Sequence, residues 1–413
     1  MADVSIHEVI GGSERVLFEQ SYRLAAKGHN VHVLTRRLPV HGKSQNTIRG
    51  VTEWRYAVNQ ANDVLFIAST WRNAARLFAS LQQKIHFDCI NFHQPFSSLG
   101  ILNLPSCRKT PKIYTCHSLS FEEYISRNQT NGRIACRALR RLNALSRKLL
   151  ERRVLTQSDK IIVLSRYTAQ KLKEVYRIPS GKILLLPGGV DSDRYFPAEN
   201  RADIRRALNM PVNKVILFTV RNLVPRMGLE NLLYAFSGAA KTAPDIYLVI
   251  GGKGPLQKDL STLTKTLGLE NQVRFSGFIP EEQLGDYYRM ADMFILPTRE
   301  LEGFGLVTLE ALASGLPVLG TPVGGTREIL NKLNSKFLFA DTRPVSMAEK
   351  ILEYYRLITQ NPAMWQKIRQ TCRLFAEKNF SWEKNVDALE GLFGCFSDCR
   401  SDNSGTTLTH QAE

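Results

Sequence analysis

The stretch RELEGFGLVTLEALASGLPVL (residues 299–319) decides how this chain is read. It follows DMFILP (292–297), a short apolar run that reads as a buried strand. Gly303 and Gly305 permit a tight turn, and the apolar run from Leu306 reads as a helix that stops at Gly315. A second apolar run, LPVLGT (316–321), comes next. Strand, turn, helix, strand is the repeating unit of a parallel sheet. In such sheets ligands sit outside the carboxyl ends of the strands, which makes TRELEGFG a binding loop. Two carboxylates mark it, Glu302 in the bend and Glu310 about one turn into the helix. The helix's first amides and its dipole favour an anion such as a diphosphate, and Glu310 is placed to meet ribose hydroxyls. An acidic loop before a helix with one solvated glutamate is the plainer alternative.

The same alternation extends outward. In the second half the expected strands are 214–220, 245–252, 272–277, 292–297, 316–321 and 336–340, with helices after almost every one. In the first half they are 30–35, 87–92, 112–116 and 160–164, separated by helical patterns at 13–27, 71–82 and 131–157. A chain of 413 residues is long enough for about two domains. The expected division is a first α/β domain over 1–190, a second over 191–380, a helix over 381–400 that returns to the first domain, and a disordered tail over 401–413. The joint is LLLPGGVDSDRYFP (184–197), where Pro and Gly break the pattern. The segment MADVSIHEVI before Gly11-Gly12 is too short and polar for a good central strand. The expectation is therefore a start upstream of Met1 or an incomplete first sheet.

Composition narrows the class. No apolar run approaches the ~18 residues of a membrane span, and the start lacks the basic and apolar regions of a secretory signal. Seven scattered cysteines without zinc spacing predict reduced thiols in a cytoplasmic protein. The net charge of +17 is one-sided. Residues up to Val190 hold 29 basic and 12 acidic side chains, and the remainder holds 26 of each. A positive field on one half favours an anionic ligand, anionic headgroups or nucleic acid. No aromatic-basic interleaving supports nucleic acid.

EGFGLVTLE, followed by ALASGLPVLGTPVGGTREIL, resembles the Glu–seven residues–Glu signature of retaining glycosyltransferases of the glycogen-synthase-like group. Four further stretches carry the resemblance over nearly the whole chain: GGSERVLFEQSYRLAAKGHNVHVLT, KILLLPGGVDSDRYFP, GGKGP and FSW (380–382). It implies a GT-B architecture, with two doubly wound Rossmann-like domains about a cleft. It implies transfer of a hexose, with retention, from a nucleoside-diphosphate sugar to a saccharide or lipid-linked acceptor, by front-face departure and attack, without a cofactor or metal. Asp191-Ser192-Asp193 falls in the joint, where that group has no metal site. A non-catalytic glycosyltransferase-like binding protein or partner subunit is the competing expectation.

The resemblance also assigns roles. Glu302 would contact donor-sugar hydroxyls and Glu310 the nucleotide ribose, while the backbone of Phe304, Gly305, Leu306 and Val307 receives sugar and phosphate oxygens. His117, after the strand KIYTC, would act beside donor and acceptor, and His93 on the acceptor side; core histidines are the alternative. Gly12 would let the chain pass close to the donor. Phe278 and Ile279 would border the base, with core packing as the alternative, and GGKGP reads equally as a tight turn. The phosphate clamp departs from the pattern: Asn222 stands where the group has arginine and Met227 where it has lysine. Arg226 is expected to supply most of the missing charge, and Arg221 less, because it would project away from the cleft.

The helical stretch 133–154 is basic and amphipathic. Arg133, Arg137, Arg140, Arg141, Arg147, Lys148 and Arg152 fall on one face, and Ile134, Ala138, Leu142, Leu145 and Leu149 on the neighbouring one. The plain reading buries the apolar stripe in the core and leaves the basic face solvated. The sharper one sets Arg133, Arg137, Arg141, Lys148 and Arg152 against an anionic membrane surface or acceptor, peripheral on the inner membrane face.

Overall fold

The computed structural model describes residues 5–6, 11–38, 42–128 and 134–401. The first half runs α1 (Gly12–Ala26), β1 (His32–Arg36), β2 (Gln45–Ile48), β3 (Val51–Tyr56), α2 (Asp63–Gln82), β4 (Ile90–Phe92), α3 (Pro95–Leu102), β5 (Lys112–Cys116), α4 (Ser120–Arg127), α5 (Ile134–Gln157), β6 (Lys160–Val163), α6 (Arg166–Tyr176) and β7 (Ile183–Leu185). The second runs α7 (Arg201–Ala207), β8 (Val215–Val220), α8 (Leu229–Ala240), β9 (Ile246–Gly251), α9 (Gln257–Thr266), β10 (Val273–Gly277), α10 (Glu281–Met290), β11 (Met293–Leu296), α11 (Leu306–Ala313), β12 (Val318–Gly320), α12 (Gly324–Leu333), α13 (Pro344–Gln360), α14 (Pro362–Asn379) and α15 (Trp382–Ser401).

The second sheet has the order β10-β9-β8-β11-β12, parallel throughout. The chain builds outward from β8 to β10 and then restarts on the other side at β11. That reversal opens a crevice at the carboxyl ends of β8 and β11. The two loops leaving these ends hold Arg221–Met227 and Thr298–Gly305. Strands covered on both faces read as continuous apolar runs, and Met293 to Leu296 are all fully buried.

The first half is less regular. Its described strands form two sheets, β1-β3-β2 and the parallel β4-β5-β6-β7. β1 and β4 are edges, and among the described residues no strand joins them. Ser5 and Ile6 are not in a strand; the Ser5 hydroxyl and the Ile6 amide donate to the buried carboxylate of Glu53, at 2.7 and 3.1 Å. Thr35 and Arg55 also donate to Glu53, which satisfies this fully buried charge.

Several expectations need correction. KFLFA is not a strand: Ser335–Phe337 form a single 3-10 turn, and Leu338 makes only an isolated bridge to Gly320. The hairpin β2–β3 and the helices α3 and α4 were not expected. α2 starts at Asp63, capped by Asn62, rather than near Trp71. The proposed tail lies beyond Ser401, outside the described residues. α15 does return to the first half. Gln20 donates to Asn385 (3.0 Å), Arg23 pairs with Glu383, and Leu24 packs with Val386 and Leu389.

Candidate active site

Glu302 and Glu310 face the crevice from the loop after β11 and from α11. Gly305 carries a positive φ of 96° at the helix N-cap, a conformation open to glycine. A side chain on Gly303 would collide with the His117 carbonyl of the first half, and one on Gly324 with the Glu302 carbonyl. The loop is thus clasped between β5's exit and α12. Ser165, the N-cap of α6, donates to the Gly303 carbonyl at 2.6 Å. Glu328 of α12 accepts from the amides of Arg166 and Tyr167, at 2.9 and 2.6 Å. The crevice is closed on this side by hydrogen bonds from both halves.

Glu302 is 7% exposed. Its carboxylate accepts from Thr298 Oγ1 at 3.1 Å and forms an ion pair with Arg221. Arg221 also lies against the sulfur of Met227, 2.9 Å from Nη2. The expectation that Arg221 projects away from the cleft is therefore corrected: its guanidinium is buried between Glu302 and the residue at the lysine position. Arg226 donates to the Leu301 carbonyl at 2.8 Å and has no carboxylate partner among the described residues. Its buried Nε has no hydrogen-bond partner either, and burial lowers its pKa. Glu310 is held by the Tyr288 hydroxyl at 2.8 Å. Thr298, Tyr288, Ser165 and Glu328 were not singled out from sequence. Nothing in their spacing distinguishes them from ordinary core and helix-end residues.

His93 and His117, from the ends of β4 and β5, form a pair: Nδ1 of His93 is 3.0 Å from Nε2 of His117. One ring must donate and the other accept, so the two cannot both be cations without breaking the contact. Burial holds the His117 pKa down to about 4, and burial together with His117 lowers that of His93. The linkage has a definite sign. Between about pH 6.5 and 4 the unfolded chain takes up protons that the folded pair refuses, so stability falls with pH across that window. A His93→Asn/His117→Asn variant should lose much of this acid slope in urea melts. An unchanged slope would place the titration elsewhere.

The remaining expected residues divide. Gly12 faces Leu306 across the crevice, and a Cβ there would sit 3.7 Å from its Cδ1. Phe304 is buried and meets the Phe380 ring edge-on at 6.1 Å. Phe278 is exposed, with Lys253 5.6 Å from its ring, while Ile279 packs into the core over Gly251. The GGKGP turn is wedged against the backbone of Leu223. Asp191 of the Asp-x-Asp turns inward and accepts from the Asp193 and Arg194 amides. Arg133 lies outside the described residues, as does the Arg137 side chain. A cavity of about 640 Å3 opens behind the loop, lined by Arg166, Arg299, Glu300 and Arg327, and by none of the expected site residues.

The family model described as "Glycosyl transferases group 1" matches residues 200–369, and that described as "Glycosyltransferase Family 4" matches 10–194. A GDP-mannose-dependent alpha-(1-6)-phosphatidylinositol monomannoside mannosyltransferase of Mycolicibacterium smegmatis is 35% identical over 184 residues, 43% of this chain and 48% of that one. The chain thus matches about half the length of that relative. A D-inositol 3-phosphate glycosyltransferase of Geodermatophilus obscurus is 27% identical over 93% of this chain and 84% of its own. Among solved structures, sucrose-phosphate synthase from Thermosynechococcus elongatus superposes with a TM-score of 0.78 at 22% identity, covering 94% of each chain. The catalytic domain of starch synthase IV from Arabidopsis thaliana gives 0.71 at 15% identity, covering 94% of this chain and 96% of that one. The architecture is GT-B, two Rossmann-like domains.

Proposed function

The chain belongs to the group 1 glycosyltransferases, and from that premise we propose that it is a retaining hexosyltransferase that uses a nucleoside-diphosphate sugar. The acceptor is a saccharide or a lipid-linked saccharide held by the first domain. One observation carries the reading. Glu302, Glu310, the amino end of α11 and two arginines converge at the switch between β8 and β11, and His117 faces the same loop from the other domain. Glu310 holds the ribose, the amides of Leu306 and Val307 receive the diphosphate, and Glu302 bonds the sugar hydroxyls. As the sugar–phosphate bond breaks, negative charge gathers on the departing diphosphate, where preorganised donors and a cation stabilise it most. Neutral His117, its tautomer set by His93, donates or accepts at a sugar hydroxyl without adding charge. The acceptor attacks from the face the diphosphate leaves, and a phosphate oxygen takes its proton.

The named relatives act on a phosphatidylinositol mannoside and on inositol 3-phosphate, which favours a phosphorylated or lipid-linked acceptor here. The basic face of α5 is then the part that meets an anionic membrane from the cytoplasmic side. Proton NMR of the product formed from an α-linked donor tests retention: an α-linked product agrees with it, and a β-linked product rejects it.

A non-catalytic binding subunit is the second reading, and Asn222 and Met227 are its support, since neither offers charge to a diphosphate.

A further inference from the structure

Leu142, Leu145 and Leu149, which the plain sequence reading assigned to the core, are on the outside of α5, and Leu139 joins them. Leu139, Leu142, Leu145 and Leu149 are 68%, 63%, 52% and 57% exposed. At 3.6 residues per turn, the last three share an arc of about 60°. The opposite face is the buried one, and it mixes small apolar residues with two charged ones. Ala144, Glu151 and Val154 are buried there. Glu151 accepts from the Ser120 amide, at 3.1 Å, and from the Tyr176 hydroxyl. Arg147 is sandwiched between the rings of Phe96 and Tyr124, at 4.9 and 4.5 Å. The protein interior therefore does not need the leucine stripe. Two more exposed apolar side chains stand close by. Asn143 donates to Tyr124 of α4 and to Asp63 of α2, at 3.0 Å each, and beside these lie Ile125 and Val64.

A contiguous exposed apolar face marks an interaction surface. Its rim identifies the partner. Arg141, Arg152 and Arg153 are exposed along it, and the only acidic residue of α5, Glu151, is buried on the far side. We propose that Leu139, Leu142, Leu145 and Leu149 insert among the acyl chains of an anionic bilayer while these arginines bind its headgroups. This rests on the lipid-linked acceptor reading and deepens it, from attraction at the surface to insertion. A helix lying in the interface has this layout, with apolar residues on one face and basic ones flanking it. A second copy of the chain fits less well, because pairing two such faces would bring together two halves that each carry a +17 balance up to Val190.

Co-sedimentation of the full chain with vesicles tests the proposal, in phosphatidylcholine alone and in phosphatidylcholine with phosphatidylglycerol. Wild type should pellet with the anionic vesicles and keep part of that binding at raised salt, because insertion is not screened. Leu142→Gln, Leu145→Gln and Leu149→Gln together should weaken partitioning by about a hundredfold. Its melting temperature should be unchanged, since the side chains are exposed and Gln suits a helix. Neutralising Arg137, Arg141, Lys148 and Arg152 should cost about fivefold per residue on anionic vesicles at low salt, and little at high salt. A leucine variant that binds as tightly as wild type overturns the proposal. So does a wild type that ignores vesicles but forms a dimer that the variant dissolves. Binding is read without donor or acceptor, so either failure leaves the sugar-transfer reading standing.

Discussion

Glu302→Gln should lower turnover by about a hundredfold or more while leaving donor affinity within a few fold. The carboxylate is paired with Arg221 and bonded by Thr298, and in the proposed reaction it acts on charge that develops only as the sugar leaves. Interactions of that kind appear in kcat and not in ground-state binding. Glutamine keeps the shape and the Thr298 bond but loses the charge. Glu310→Gln should behave differently and raise the nucleotide Kd, because the proposed ribose contact would be met equally in ground and transition states. Kinetics and nucleotide titration on the two variants separate these roles. If both retain wild-type transfer, the two glutamates are structural.

The second large effect concerns the arginines. Arg226 is a half-buried cation with no direct ion-pair partner among the described residues, Glu123 and Glu302 acting on it only at longer range, and a bound diphosphate would supply that partner. Arg226→Ala should reduce transfer by about tenfold or more, since a charge-assisted hydrogen bond contributes roughly 1.5–3 kcal/mol. The loss should lie mainly in donor binding. Arg221→Ala should instead destabilise the fold by about 3–5 kcal/mol, because it strands the buried carboxylate of Glu302. Its remaining activity should be lost in kcat, with Arg221→Lys recovering part. Restoring Asn222→Arg and Met227→Lys should raise donor affinity. A silent Arg226→Ala, with activity created only by that double restoration, would favour the non-catalytic reading.

The second domain was legible because its strands are buried on both faces. Continuous apolar runs between Gly and Pro signals leave little choice, and β8 to β12 fall within about two residues of the expected bounds. KFLFA misled because an apolar run of that length serves a 3-10 turn under a helix as well as a strand. The first domain was harder to read. β2 of its hairpin is half exposed, and the inward positions of β3 include the charged Glu53 and Arg55, so QNTI and VTEWRY carry no strong apolar pattern. α5 was misread for a specific reason. Periodicity identified a stripe of leucines but could not say which way it faces, and here partners at fixed places on α3, α4 and α6 draw Arg147 and Glu151 inward instead. The loop after β11 was placed correctly from strand ends and glycines alone. The network behind it, Thr298, Tyr288, Ser165 and Glu328, depends on contacts between distant segments, which spacing does not record.

The most direct measurement is release of nucleoside diphosphate from a panel of UDP-, GDP- and ADP-sugars, by the wild type and the Glu302→Gln variant in parallel. Sugar transfer at this crevice predicts steady turnover of at least one donor by the wild type and its near-complete loss in the variant, with nucleotide binding preserved in both. Tight nucleotide binding with no turnover of any donor, or turnover that Glu302→Gln leaves intact, would contradict it.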